Sequence, residues 1–133
     1  MNGYRFDRRR FQRLKINLSV FYKILTPEVR SVTGEEEFEA VSLDLGAGGI
    51  SFLSRHYIPA YTALSVSIIL FKTDHTGLVS FHDPVDIVGE VRSSALTEDK
   101  QYRLGVCFKT IANEERIEIA DFVSLASRPS TSC

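Results

Sequence analysis

The chain has 133 residues, of which 44% are apolar and 25% are charged; these values predict a single soluble globular domain that folds without a disulfide or a metal. Its net charge is −1, but residues 1–15 contain six basic side chains and one acidic one, so a basic arm of +5 precedes a remainder of −6. This division favours an anionic partner that meets the arm, and it disfavours a long track for a polynucleotide.

The cysteines and the lengths of the apolar runs indicate the cellular compartment in which the protein is expected. Cys107 lies in an apolar run and Cys133 ends a polar tail, which indicates one buried thiol, one terminal thiol and no disulfide framework. No apolar run reaches the roughly 18 residues of a spanning helix, and the arginine-rich start is not followed by the apolar stretch of an export signal. We therefore expect a cytoplasmic protein without membrane insertion.

The first half of the chain alternates between apolar and polar positions, as half-buried strands do. This alternation predicts strands at residues 15–24, 37–45 and 50–53, with an irregular or edge segment at 29–36. The glycine-rich run 46–49 interrupts the pattern sharply between the second and third of these strands.

The second half continues the alternation and then changes to a helical period. Strands are predicted at 63–71, 85–93 and 102–108, with a polar loop or hairpin tip at 72–82. So many short, evenly spaced strands favour a closed barrel, because closure removes exposed edges. Asn113 is predicted to cap a final helix, whose apolar stripe should cover the core as a lid. The stripe consists of Ile119, Phe122, Val123 and Ala126.

Catalytic signatures are missing from the sequence. It contains no His-Glu-x-x-His, Cys-x-x-Cys or Gly-x-Ser-x-Gly pattern, and its three histidines lack the spacing of metal ligands. We interpret His56, His75 and His82 as surface residues and the acidic run 35–37 as a solvated cluster. The chain is therefore not expected to be an enzyme or to carry a metal or a cofactor.

Two motifs remain, and each is weak when taken alone. Arg9 and Arg13 stand four residues apart just before the first strand, with Arg8 next to them, and arginine's planar fork suits phosphate oxygens and base edges. Asp44 lies near the end of a strand and is followed by a corner that contains Gly46, Gly48 and Gly49. That corner is either a simple bend of the barrel or a place where a ligand approaches the backbone closely.

In this order, the two motifs resemble those of the PilZ domain family, which has an R-x-x-x-R followed by a [D/N]-x-S-x-x-G. The chain has Arg9 to Arg13 for the first and Asp44 to Gly49 for the second. The resemblance covers roughly residues 7–126 and includes the apolar stretch 49–52 and the strand 102–108. It implies an all-β fold, a six-stranded antiparallel barrel with a C-terminal helix, in three parts: a flexible basic arm (1–14), the barrel with its helix (15–127) and a disordered tail (128–133).

The resemblance also implies a function, as a receptor for the bacterial second messenger cyclic di-GMP. Arg9 and Arg13, with help from Arg8, are expected to hold phosphate and guanine, while Asp44 and the corner glycines line the guanine pocket. The arm would fold over the ligand and change the surface offered to a protein partner in motility, adhesion or exopolysaccharide control. We expect a monomer or weak dimer that binds no polynucleotide.

One departure from the family pattern leaves the function open. Gly46 stands where the family has a serine, and a lost hydroxyl bond costs about 0.5–3 kcal/mol, or up to about a hundredfold in affinity. A serine at this position is therefore predicted to tighten binding. The alternatives are a PilZ-like module that binds only proteins, favoured by Gly46, and a single-strand binder that uses the arginines and aromatic residues of the arm.

Overall fold

The computed structural model describes residues 12–34 and 36–126, and within them the chain forms nine strands and two helices. In chain order these elements are β1 (Arg13–Lys15), β2 (Ser19–Ile24), α1 (Pro27–Thr33), β3 (Phe38–Gly46), β4 (Gly49–Ser54), β5 (Ala63–Ile68), β6 (Phe71–Thr73), β7 (Val79–Phe81), β8 (Val85–Leu96), β9 (Tyr102–Thr110) and α2 (Asn113–Ala126).

Six of these strands close into an antiparallel barrel, as predicted. Their order is β3-β2-β5-β8-β9-β4, and β4 pairs back onto β3 to complete the circle. Strands β1 and β2 both pair with the same edge of β3. β2 lies opposite residues 38–41 of β3, and β1 lies opposite residues 44–46. Strands β6 and β7 form a separate two-stranded hairpin.

The core lies inside the barrel and under the last helix. Alternate residues of the barrel strands point inward, so that Val20 and Ile24 of β2 are fully buried while Lys23 is exposed. Helix α2 adds Ile119 and Val123 to this core, which agrees with the predicted lid.

The predicted strand 15–24 is interrupted, and the side chain of Ser42 explains why. Its hydroxyl accepts a hydrogen bond from the amide of Leu18 at 2.7 Å and donates one to the carbonyl of Ile16 at 2.6 Å. The pairing of β3 with β4 shifts register between Ser42 and Asp44 at the same level. The Ser42 side chain therefore takes the place of a backbone partner in the hydrogen bonding between these strands, and the predicted first strand divides into β1 and β2.

The prediction of an irregular segment at 29–36 was wrong, because most of it belongs to α1. Pro27 begins the helix, where its missing amide hydrogen costs nothing, and Glu28 follows in the first turn. Gly34 ends the helix with a φ of 100° and donates its amide to the carbonyl of Arg30 at 2.8 Å. These start and stop signals outweigh the β-branched residues inside the segment.

Residues 72–82 contain the predicted hairpin tip, and its turn is held by Asp74. The carboxylate accepts hydrogen bonds from the hydroxyl and amide of Thr76 and from the amide of Leu78, at 2.6, 2.8 and 3.0 Å. These bonds, led by the Thr76 hydroxyl, lower the pKa of Asp74 below its usual value. Predicted strand 63–71 is correspondingly shorter, since β5 ends at Ile68 and Phe71 begins the hairpin.

Two smaller predictions also need correction. Asn113 is the first helical residue rather than the cap, since the carbonyl of Ala112 already accepts the amide of Arg116. Cys107 is half-buried instead of buried, because Val106 and Phe108 on either side of it point into the core. Cys133 and the tail 128–133 lie outside the described residues.

Candidate ligand site at the glycine corner

A row of directly paired residues crosses the outer face of the barrel at the corner between β3 and β4. Asp44 pairs with Ser51, Ser51 with Gly105, and Gly105 with Ser93. Residues paired in this way point to the same face of a sheet. Because Ile50 and Leu104 beside them are fully buried, this row faces away from the core.

Arg13 docks directly on Asp44 and joins the two predicted motifs. Its Nε donates to Oδ1 of Asp44 at 3.0 Å, and its Nη2 donates to the same oxygen. Nη2 also donates to the hydroxyl of Ser51 at 3.3 Å. The two charged side chains are only 18% and 12% exposed, so the pair is held in a partly dehydrated place where charge-assisted hydrogen bonds are strong.

The other oxygen of this carboxylate is held by Arg103. Nη2 of Arg103 donates to Oδ2 of Asp44 at 3.2 Å. The Arg103 side chain is 52% exposed, so a large part of its guanidinium faces solvent. Asp44 is therefore fixed between an arginine from the first strand and an arginine from the last.

These groups border a cavity of about 300 Å³ on the outside of the barrel. Three guanidinium groups and one carboxylate line it, which gives these charged groups a net charge of +2. The lining residues are Arg13, Asp44, Gly48, Ser51, Arg92, Arg103, Gly105, Val106 and Cys107. A concave surface with this charge attracts anions, and its single acid can accept donors from a neutral ring.

The glycines of the corner serve the packing of strands more than they make room for a ligand. A Cβ on Gly46 would lie 2.6 Å from both the carbonyl oxygen of Gln12 and Cδ of Arg13. A Cβ on Gly49 would lie 2.4 Å from the carbonyl oxygen of Val106. Of the three predicted glycines, Gly48 lines the cavity. With Arg13 docked, the structure leaves no space for the serine that was expected to improve binding.

Arg8 and Arg9 lie outside the described residues, so the structure brings together Arg13 and Asp44 from the predicted set. Sequence reasoning missed Ser51, Arg92 and Arg103, although a signal was present for two of them. Arg103 alternates with the buried residues of β9, and Ser51 is the polar residue between the apolar Ile50 and Phe52 of β4. Polar residues on the outward side of a strand beside a binding motif are candidates for contact.

A larger cavity, of about 610 Å³, lies elsewhere on the barrel, but its charge does not suit an anionic ligand. Glu36, Glu37 and Glu39 line it together with Arg55 and His56. His56 is half-buried against the ring of Phe38, at 4.6 Å between ring centroids, so it is not the plain surface residue predicted. Volume alone would favour this cavity, whereas electrostatics favours the smaller one.

The part of the chain that the structure describes contains no group of three or more His, Cys, Asp or Glu residues able to hold a metal ion. Within residues 12–34 and 36–126, no helix combines the length and apolar character that crossing a bilayer requires.

Comparisons with known proteins place this geometry in a family context. Residues 7–125 match the sequence profile of the PilZ domain. A search against curated protein sequences returned no match.

Several solved structures share the fold. MotI/DgrA, an inhibitor of motility from Bacillus subtilis, superposes with a TM-score of 0.71 at 17% identity, over 92% of this chain and 54% of its own. The PilZ domain of Escherichia coli YcgR with c-di-GMP gives 0.55 at 13% identity, over 92% of this chain and 95% of its own. The MrkH–c-di-GMP complex of K. pneumonia gives 0.56 at 13% identity, over 87% and 51%. This chain thus spans about half of MotI/DgrA and nearly all of the isolated YcgR domain.

Proposed function

Because the chain belongs to the PilZ domain family, we propose that it is a receptor for cyclic di-GMP that signals to a protein partner and catalyses no reaction. The observation that carries this proposal is the direct contact between Arg13 and Asp44 at the edge of a cationic cavity. One residue of each family motif is present there, and their charges suit the two chemical parts of the ligand.

The ligand has two phosphates and two guanine bases, and the cavity offers partners for both. Guanidinium groups bind phosphate oxygens in a bidentate manner, and the cavity has three of them. A carboxylate accepts the paired N–H donors of a guanine edge. Since Arg13 and Asp44 bind each other in this structure, a ligand that uses either group exchanges part of that contact for its own.

Ser51 supports binding despite the missing serine of the motif. Ser51 lines the cavity, and its hydroxyl lies 3.3 Å from Nη2 of Arg13. It is directly paired with Asp44 across β3 and β4, so a hydroxyl remains beside the carboxylate although Gly46 has none. One hydroxyl bond at this place offsets the loss of about 0.5–1.5 kcal/mol for a neutral partner.

The structural neighbours agree with this ligand and suggest a direction for the signal. YcgR and MrkH are described in complex with c-di-GMP, and MotI/DgrA as an inhibitor of motility. For this chain we propose the same ligand and an adaptor role. Contact between the arm and the ligand would present a new surface to a protein in motility, adhesion or exopolysaccharide control.

Calorimetric titration with cyclic di-GMP tests the proposal. The wild type should bind, while Arg13→Ala and Asp44→Ala should each lower the affinity by about 10- to 100-fold, the equivalent of one charge-assisted hydrogen bond. Arg55→Ala is the matched control, since Arg55 lines the acidic cavity instead, and it should leave the affinity unchanged.

A protein-interaction module without a nucleotide ligand is the second candidate, and Gly46 favours it. The corner lacks both the hydroxyl of the family motif and the space to hold one. The same titration separates the two candidates, because the absence of binding heat at tens of micromolar ligand would leave only the module.

A further inference from the structure

We propose that Arg103 reads the guanine base and makes the site prefer guanine over adenine. This inference rests on the proposed function and assigns a role to a residue outside both family motifs. It follows from the position of the Arg103 guanidinium beside the carboxylate of Asp44 and from the hydrogen-bonding pattern that the two groups create together.

The geometry around Asp44 differs between its two oxygens. Oδ1 receives two N–H groups of Arg13, which is largely buried, whereas Oδ2 receives one N–H of Arg103 at 3.2 Å. Arg103 has five N–H donors in a planar fork. With its side chain 52% exposed, donors remain on the solvent side of the cavity, next to Oδ2.

The neighbouring carboxylate and guanidinium form a row of acceptors followed by a donor. The Watson–Crick edge of guanine presents the opposite row, two N–H donors at N2 and N1 followed by the O6 acceptor. When the ligand takes over the contacts that Arg13 makes with Oδ1, Asp44 receives the two donors while Arg103 donates to O6. Adenine in the same orientation would place the N1 lone pair against the carboxylate and an N–H against the guanidinium. In the reversed orientation its single amino donor would leave one of the two carboxylate oxygens without a partner from the base.

A purely structural role explains the placement less well. An ion pair in which one partner is half exposed contributes about 0–1 kcal/mol to stability, and Arg13 already neutralises the carboxylate with two hydrogen bonds. A site that hydrogen-bonds a polar edge can in contrast reject a ligand with the wrong edge by large factors, because its own groups are then left unpaired.

The test compares cyclic di-GMP with cyclic di-AMP, which has the same two phosphates and different bases. NMR titrations, which reach millimolar dissociation constants, are run on the wild type, Arg103→Met and Arg103→Lys. The methionine keeps an apolar stem without donors, and the lysine keeps the charge without the planar fork. Arg55→Met is the matched control at the other cavity, and amide spectra without ligand confirm that each variant is folded.

The expected result is a 10- to 100-fold loss of affinity for cyclic di-GMP in Arg103→Met, with less than a twofold change for cyclic di-AMP. Arg103→Lys should lose less affinity for cyclic di-GMP than Arg103→Met and should still bind cyclic di-GMP more tightly than cyclic di-AMP. Equal losses of affinity for the two nucleotides would overturn the inference, because they would indicate that Arg103 contacts phosphate. An unchanged affinity of Arg103→Met for cyclic di-GMP would overturn it as well. If the wild type bound neither nucleotide, the proposed function itself would fail together with this inference.

Discussion

Removal of the Asp44 carboxylate is the perturbation whose cost the structure defines best. The Asp44→Ala variant leaves two arginines facing each other without their shared acid. The two losses differ in size because the two arginines differ in exposure. Asp44 and Arg13 are 12% and 18% exposed, whereas Arg103 is 52% exposed, so solvent screens only the second pair strongly.

The magnitudes follow from this difference. The hydrogen bonds between Arg13 and Asp44 are charged and partly buried, and they should contribute about 1.5–3 kcal/mol. The pair with Arg103 is discounted for solvent screening to about 0.2–1 kcal/mol. Asp44→Ala should therefore lower the free energy of unfolding by about 2–4 kcal/mol in total, a large share of the roughly 5–15 kcal/mol of a typical domain.

Two double-mutant cycles measured by urea unfolding without ligand separate these contributions. One cycle combines Asp44→Ala with Arg13→Ala, and the other combines it with Arg103→Ala. The coupling free energy should be several times larger in the first cycle, and a third cycle with Arg55→Ala should show no coupling. A coupling to Arg103 that equals or exceeds the coupling to Arg13 would refute the argument from exposure.

Three further outcomes are expected. Gly46→Ser should lower the free energy of unfolding by about 1–3 kcal/mol, because its Cβ would lie 2.6 Å from the carbonyl oxygen of Gln12. The variant should not bind cyclic di-GMP more tightly than the wild type. Tighter binding by calorimetry together with unchanged stability by urea unfolding would contradict this prediction. Tyr22→Phe should cost about 0.5–1.5 kcal/mol by losing a 2.8 Å hydrogen bond to Ser54. Burial raises the pKa of Tyr22 above 10.0, so the wild type should lose stability as the pH rises above 10, and the variant should lose less over the same range. Urea unfolding curves of the variant that match the wild type at pH 7 and pH 10.5 would exclude both effects. Hydrogen bonds lower the pKa of Asp74 below 3.8, so the carboxylate should stabilise the hairpin turn fully above pH 3.8 and lose this effect as the pH falls through the lowered pKa. In NMR spectra of the wild type, the amide signals of the turn should shift in a step below pH 3.8. Asp74→Asn should show no such step.

From the sequence, the barrel and two residues of the candidate site could be predicted. Alternation with a period of two predicted all six strands of the closed barrel, because in a single-walled barrel each strand has one face in the core and one outside it. The resemblance of the two motifs to those of the PilZ domain family predicted that Arg13 and Asp44 belong to one site, and in the structure the two side chains are in direct contact.

The groups around this pair could not be read from the sequence and became known from the fold. Arg103 is 59 positions away from Asp44, and strand alternation tells which face a residue occupies but not which residue of another strand lies beside it. That neighbour depends on register, which the interruption around Ser42 and the shift between Ser42 and Asp44 change locally. The crowding at Gly46 has the same origin, since it arises where the residue before β1 packs against the end of β3.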